Sequence, residues 1–180
     1  MRFTKMQAFG NDYVYIDAIH QELKNLPELA RFVSDRHFAI GSDGMVLICP
    51  SEKGDFRMRM FNPDGTEGEM CGNAVRCIGK YVYERGMTTK NVITLETLGG
   101  IKTLQLHIQN DIVIAVTADM GEPILEAAQI PVISDKMPVI GEKLQILDKT
   151  FDVTCVSMGN PHGVIFVDDT EHFEVEKYGK

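Results

Sequence analysis

The sequence predicts an α+β fold built from two related lobes, and three observations lead there. Short apolar runs separated by Gly-, Asn- and Pro-bearing turns recur along most of the 180 residues, as strands do. One segment, from Ala74 to Tyr83, is apolar over most of a helical circumference. A pattern of strand, Gly-Asn turn and strand occurs twice.

The elements read in order as follows. Phe3 to Asp17 is strand, turn, strand, with Gly10-Asn11-Asp12 as the turn. Leu26 to Arg36 is a helix, with Pro27 near its start and Leu29, Phe32 and Val33 expected inward. Gly41-Ser42-Asp43-Gly44 is a turn, and Met45 to Cys49 is a buried strand. Phe56, Met58 and Met60 alternate with Arg57 and Arg59, which marks a half-buried strand. Asn62-Pro63-Asp64-Gly65 is a strong turn signal. In the next helix Ala74, Cys77, Ile78, Tyr81 and Val82 fall on one face, and Gly86 suits its C-terminal cap. Val92 to Leu98, Lys102 to Ile108 and Ile112 to Ala118 are successive strands. Gly99-Gly100 and Asn110-Asp111 turn between them. Past Met120, prolines and short irregular runs increase, so the expected domains are 1–118 and 119–180.

The repeat sets Lys5 to Asn11, leading into Tyr13 to Asp17, beside Thr154 to Asn160, leading into Val164 to Asp168. Duplication of one lobe accounts for both.

Composition narrows the function. The net charge is −8 with Lys and Arg scattered, which argues against nucleic acid or an anionic membrane as partner. The N-terminus shows no signal-peptide pattern, and no apolar run has the length of a membrane span. A cytoplasmic protein is expected, with Cys49, Cys71, Cys77 and Cys155 as free thiols. No Cys-x-x-Cys pair supports a metal site.

Cys71 carries the chemistry. It stands where a loop becomes a helix, followed by Gly72 and Asn73. The first amides of a helix have no internal partner and favour negative charge, and thiolate is the reactive form of Cys. Cys77 falls on the apolar stripe, and Cys49 and Cys155 lie in strand patterns, so those three are expected in the core. Turn chemistry alone accounts for Asn11, Asn62 and Asn160. The functional alternative is that their carboxamides bind the carboxylate and ammonium of an amino acid. His162 follows Asn160-Pro161 and by itself reads as a turn histidine. Gly41 to Gly44 lacks the Lys of a phosphate-binding loop.

Together these motifs resemble diaminopimelate epimerase. The residues are Phe3-Thr4-Lys5-Met6 with Gly10-Asn11-Asp12, Asp35-Arg36-His37 with Ile40 to Gly44, and Phe61 to Gly65. Met70-Cys71-Gly72-Asn73-Ala74-Val75-Arg76-Cys77 and Gly159-Asn160-Pro161-His162 complete the set. The resemblance implies two pseudo-symmetric lobes, each a curved mixed sheet around a central helix, with substrate in the cleft between. It implies an isomerase that interconverts LL- and meso-diaminopimelate, for lysine and peptidoglycan, without pyridoxal phosphate or metal. Two cysteines would work from opposite faces of the substrate Cα, one removing a proton and one returning it. Cys71 matches one of them. Asn11, Asn62 and Asn160 match substrate contacts, Gly72 and Asn73 supply helix-start amides, and His162 matches a position near the reacting carbon. Family members are typically homodimers.

The family's second cysteine, in a Cys-Gly element, has no match in these 180 residues. The repeat spacing puts it roughly 60 residues after Asn160. The 180-residue chain, read as cut inside its second lobe, is therefore expected to lack epimerase activity alone. Alternatives are a relative of the same fold (proline racemase-like or phenazine isomerase-like), a thiol hydrolase or peroxidase using Cys71 alone, or a non-catalytic ligand-binding fragment.

Overall fold

Alternation decides which way each strand of the first half faces. In the computed structural model, which describes residues 1–179, β1 (Thr4–Ala8) pairs antiparallel with β2 (Asn11–Asp17). Their turn is Phe9-Gly10, with φ of 55° and 81°, and Asn11 already pairs with Ala8. The expected turn at Gly10-Asn11-Asp12 is thus corrected to one residue earlier. A two-residue type I′ hairpin needs positive φ at both positions, which matches the strand twist. This moves Asn11 from a turn to the start of a strand.

Helix α1 (Leu26–Ser34) follows, then β3 (Met45–Cys49), parallel to β2, and β4 (Phe56–Phe61), antiparallel to β3. The short β5 (Glu67–Gly68) flanks β4 and leads to helix α2 (Gly72–Glu84). Strand β6 (Val92–Thr97) returns parallel to β4, and β7 (Gly100–Gln109) and β8 (Ile112–Asp119) continue antiparallel. The result is one mixed sheet in the order β1-β2-β3-β4-β6-β7-β8.

Both faces of its middle are covered. Tyr13 and Tyr15 of β2 and Val46 and Ile48 of β3 pack with Ala74, Val75, Cys77, Ile78 and Val82 of α2. The intervening Val14, Ile16, Met45 and Leu47 pack with Ala30 and Val33 of α1 on the other face. Strands buried on both sides read as unbroken apolar runs, which these do. Phe32, expected inward, is 63% exposed. The inward stripe is Leu26, Leu29, Ala30 and Val33 at i, i+3, i+4, i+7, and Phe32 lies off it. Both outer strands, β1 and β8, pack on α2, so the sheet curls around that helix. Helix α2 ends in the double bond of a Schellman motif: the Gly86 amide donates to Tyr83 and that of Met87 to Val82.

The chain divides into two units, residues 1–120 and Gly121 onward. The second contains a 3₁₀ turn (Ala127–Gln129), β9 (Glu142–Ile146), β10 (Lys149–Ser157), β11 (Pro161–Ile165) and the short helix α3 (Val175–Tyr178). The strands form an antiparallel sheet ordered β11-β10-β9. Ala127, Ile130, Val139, Val153 and Cys155 form its core. The strand expected over Val164 to Asp168 starts and stops earlier, at Pro161–Ile165, leaving Phe166 87% exposed. Strand β9 was not expected, because Glu142-Lys143-Leu144-Gln145-Ile146 carries little apolar alternation; its pairing with β10 creates it. Among the described residues, no helix is long and apolar enough to cross a membrane.

Candidate functional site

Cys71 is the N-cap residue of α2, in extended conformation, with its carbonyl accepting from the Val75 amide at 3.0 Å. No side chain caps this helix start, and no acidic residue lies in its first turn. Gly72 and Asn73 therefore open the helix with amides facing outward. Gly72 also packs closely: a Cβ there would stand 3.3 Å from Arg76 Nη1. Arg76 turns back to donate to the Gly72 carbonyl at 2.6 Å.

The hairpin of β1 and β2 brings Asn11 to this point. Cys71 Sγ lies 3.4 Å from Asn11 Oδ1, and Asn73 Nδ2 lies at the same distance from that oxygen. Asn11 Nδ2 donates to Asp43 Oδ2 at 2.8 Å, and the Asp12 amide donates to the same oxygen at 3.1 Å. Asp43 in turn is fixed by its own amide, which donates to the Asp12 carbonyl at 2.8 Å. Arg36 joins the carboxylates of Asp12 and Asp43, and Lys5 adds to Asp12. Arg36 first, and Lys5 with it, hold the Asp12 carboxyl well below the usual carboxylate range.

Tyr13 completes the surroundings of the thiol. Its side chain is buried in the cluster against which Cys71 packs. Burial, and then the neighbouring Cys71, push the Tyr13 hydroxyl's ionisation upward, so it is a neutral donor at ordinary pH. Two residues on, the Tyr15 hydroxyl is buried with no hydrogen-bond partner among the described residues, and burial, then Cys77, push its ionisation upward too. The Cys77 thiol is likewise pushed up by burial.

Of the site residues expected from sequence, Cys71, Gly72, Asn73 and Asn11 come together. Asn62 stands in its turn after β4, where its carboxamide donates to Thr66 Oγ1 at 3.0 Å. In the second unit, His162 Nε2 lies 3.1 Å from Asn160 Oδ1. Cys77 and Cys155 are buried and Cys49 is partly so. The sequence reading passed over Tyr13 and Asp43. Two tyrosines at i and i+2 inside an apolar strand, facing a helix with two cysteines, were the available signal. Asp43 was hidden inside a turn motif that needs an Asp for local reasons alone.

The model of the family described as diaminopimelate epimerase matches residues 3–126. A diaminopimelate epimerase of Methanococcus maripaludis is 58% identical over 179 residues, covering 99% of this chain and 65% of the relative. One from Acetivibrio thermocellus is also 58% identical, covering 99% of this chain and 64% of the relative. The chain thus spans just under two thirds of these relatives' length. Among solved structures, a hydroxyproline epimerase from Agrobacterium vitis matches with a TM-score of 0.65 at 14% identity, over 99% of this chain and 52% of that one. A phenazine biosynthesis protein of the PhzF family from Bacillus anthracis matches with a TM-score of 0.59 at 20% identity, over 91% and 53%. These two share the fold.

Proposed function

Because the chain belongs to the diaminopimelate epimerase family, we propose that the natural protein interconverts LL- and meso-diaminopimelate, with Cys71 as one of two proton-transferring groups. One observation carries the assignment to Cys71: its sulfur stands at the uncapped start of α2, beside a carboxamide held in place from behind.

The chemistry follows from that placement. The Cα proton of an amino acid is weakly acidic, so its removal needs charge stabilisation as well as a base. The helix-start amides of Gly72 and Asn73 suit a substrate carboxylate that gathers negative charge as the proton leaves. Asn11 and Asn73 offer uncharged donors and acceptors beside the thiol. On the same reading Asn62 and Asn160 also contact substrate, and His162 stands near the reacting carbon. Cys77, Cys49 and Cys155 are packed against the core and do not serve as the second thiol, so on this reading it comes from outside the 180 residues. The reading includes a cytoplasmic homodimer acting on a free amino acid, with no cofactor.

The test is Cys71→Ser in the full natural protein, followed by chiral chromatography and by uptake of solvent deuterium at Cα. A loss of about a thousandfold is expected, within the usual range for removing an acid–base group. Turnover within tenfold of the parent overturns the assignment. The 180-residue chain alone is expected to show no net epimerisation.

A further inference from the structure

Epimerisation in both directions asks something unusual of a thiol. In one direction the Cα–H bond breaks, its electron pair stays on the substrate, and the proton joins Sγ. In the other, the S–H bond breaks and the proton joins carbon. The same sulfur must therefore rest stably as S–H and as S⁻, and these two states want opposite neighbours. A thiol needs an acceptor, whereas a thiolate needs a donor and is repelled by a carbonyl oxygen.

The acceptor is Asn11 Oδ1, 3.4 Å from Sγ. A carboxamide on its own can turn either end toward a neighbour, but Asn11 is not free to turn. Asp43 is acceptor-only as a carboxylate, and at 2.8 Å it claims the Nδ2 end. Asn73 Nδ2, itself a donor, also faces Oδ1 and reinforces the same orientation. The side chain able to donate is Tyr13, two residues along β2 from Asn11. Its ring is 6% exposed and packs edge-on against Tyr15 with centroids 6.4 Å apart. Gly44 lies against the same ring, where an added Cβ would stand 3.0 Å from Cε1. The ring is thus held in the buried cluster against which Cys71 packs.

We propose that two different residues hold the Cys71 sulfur in its two protonation states: as S–H it donates to Asn11 Oδ1, and as S⁻ it accepts from the Tyr13 hydroxyl. Asp43 is a positioning residue that keeps the Asn11 oxygen turned to the sulfur. This rests on the reading of Cys71 as a proton-transferring group, and it adds how one thiol serves both directions.

The test reads Cys71 by peptide mapping after iodoacetamide treatment of the full natural protein without substrate. Tyr13→Phe keeps the ring and removes the donor, so alkylation of Cys71 is expected to slow about tenfold, the scale of one hydrogen bond to a charged group. Asp43→Ala frees Asn11 to turn its N–H toward sulfur, so alkylation is expected to speed up. General loosening of the site would accelerate both variants, so the opposite signs separate positioning from damage. Unchanged or faster alkylation in Tyr13→Phe overturns the donor role. Unchanged or slower alkylation in Asp43→Ala overturns the positioning role, and Asp43→Ser repeats that arm should the Ala variant fail to fold. In epimerisation assays Tyr13→Phe is expected to lower kcat in both directions. If the alkylation signs hold while Cys71→Ser keeps its turnover, the sulfur's grip stands and the proposed function falls.

Discussion

Arg36 meets Asp12 end-on: Nη2 lies 2.7 Å from Oδ1 and Nη1 lies 3.2 Å from Oδ2. The pair joins the loop after α1 to the strand that carries the site. The depressed carboxyl of Asp12 makes the pair a source of pH-dependent stability. Its folded ionisation lies below the unfolded value near 4, so the stabilisation is complete above that pH and is lost as pH falls through and below it. Arg36 is 53% exposed, so solvent screening keeps the magnitude to about 1 kcal/mol. Asp12→Asn is therefore expected to cost about 1 kcal/mol at neutral pH, with the gap to the parent closing below roughly pH 4. Urea denaturation at pH 7 and pH 3 measures it; a gap that does not change with pH contradicts it.

Two glycines with positive φ should respond differently to Ala. At Gly44 (φ +149°) a Cβ would stand 2.3 Å from the Phe61 carbonyl oxygen, a backbone atom that cannot step aside. Backbone strain and overpacking combine there, and a loss of about 3 kcal/mol is expected. At Gly86 (φ +68°) nothing lies within 4 Å, so only the left-handed conformation is penalised, at about 1 kcal/mol. Thermal or chemical denaturation ranks the two, and equal losses would contradict the steric account.

The four thiols should be alkylated in a definite order. Burial pushes the ionisation of Cys49 and Cys77 upward, and Cys155 is 9% exposed. Cys71 is partly exposed at a helix start and should react first in the native state, with the other three reacting together on unfolding. Time-resolved mass spectrometry of peptides distinguishes this from uniform labelling.

Ile78 anchors α2 to the sheet with no exposed surface. Ile78→Ala is expected to cost about 3 kcal/mol through lost burial and a residual cavity. A loss under about 1 kcal/mol would mean that the sheet closes over the gap.

Much of this was legible from sequence wherever one physical cause acts locally. The face of α2, its cap at Gly86 and the double-sided burial of Met45 to Cys49 follow from periodicity and turn chemistry. Phe32 was misjudged because apolarity was weighed above position on the stripe. Strand β9 was missed because its pairing partner, not its composition, creates it. The Gly-Asn repeat reads as one motif, yet its two copies are built differently. Ala8 pairs with Asn11 across two residues, whereas Ser157 pairs with Pro161 across three. A single residue of loop length puts Asn11 in a strand and Asn160 in a turn. Asp43 and Tyr13 escaped notice because their meaning depends on what folds beside them: 31 residues separate Asp43 from Asp12, and their bond appears only in three dimensions.

The curling of β1 and β8 onto α2 has a consequence in time. A chain emerging from its N-terminus completes α2 before it has made β7 or β8, so the part of the helix that those strands cover stays wet until they arrive. Asn11 waits as well, since it lies 60 positions from Cys71 and the loop between them must close before they meet. The thiol's neighbourhood is thus assembled by long-range closure, from segments made well before Cys71 itself.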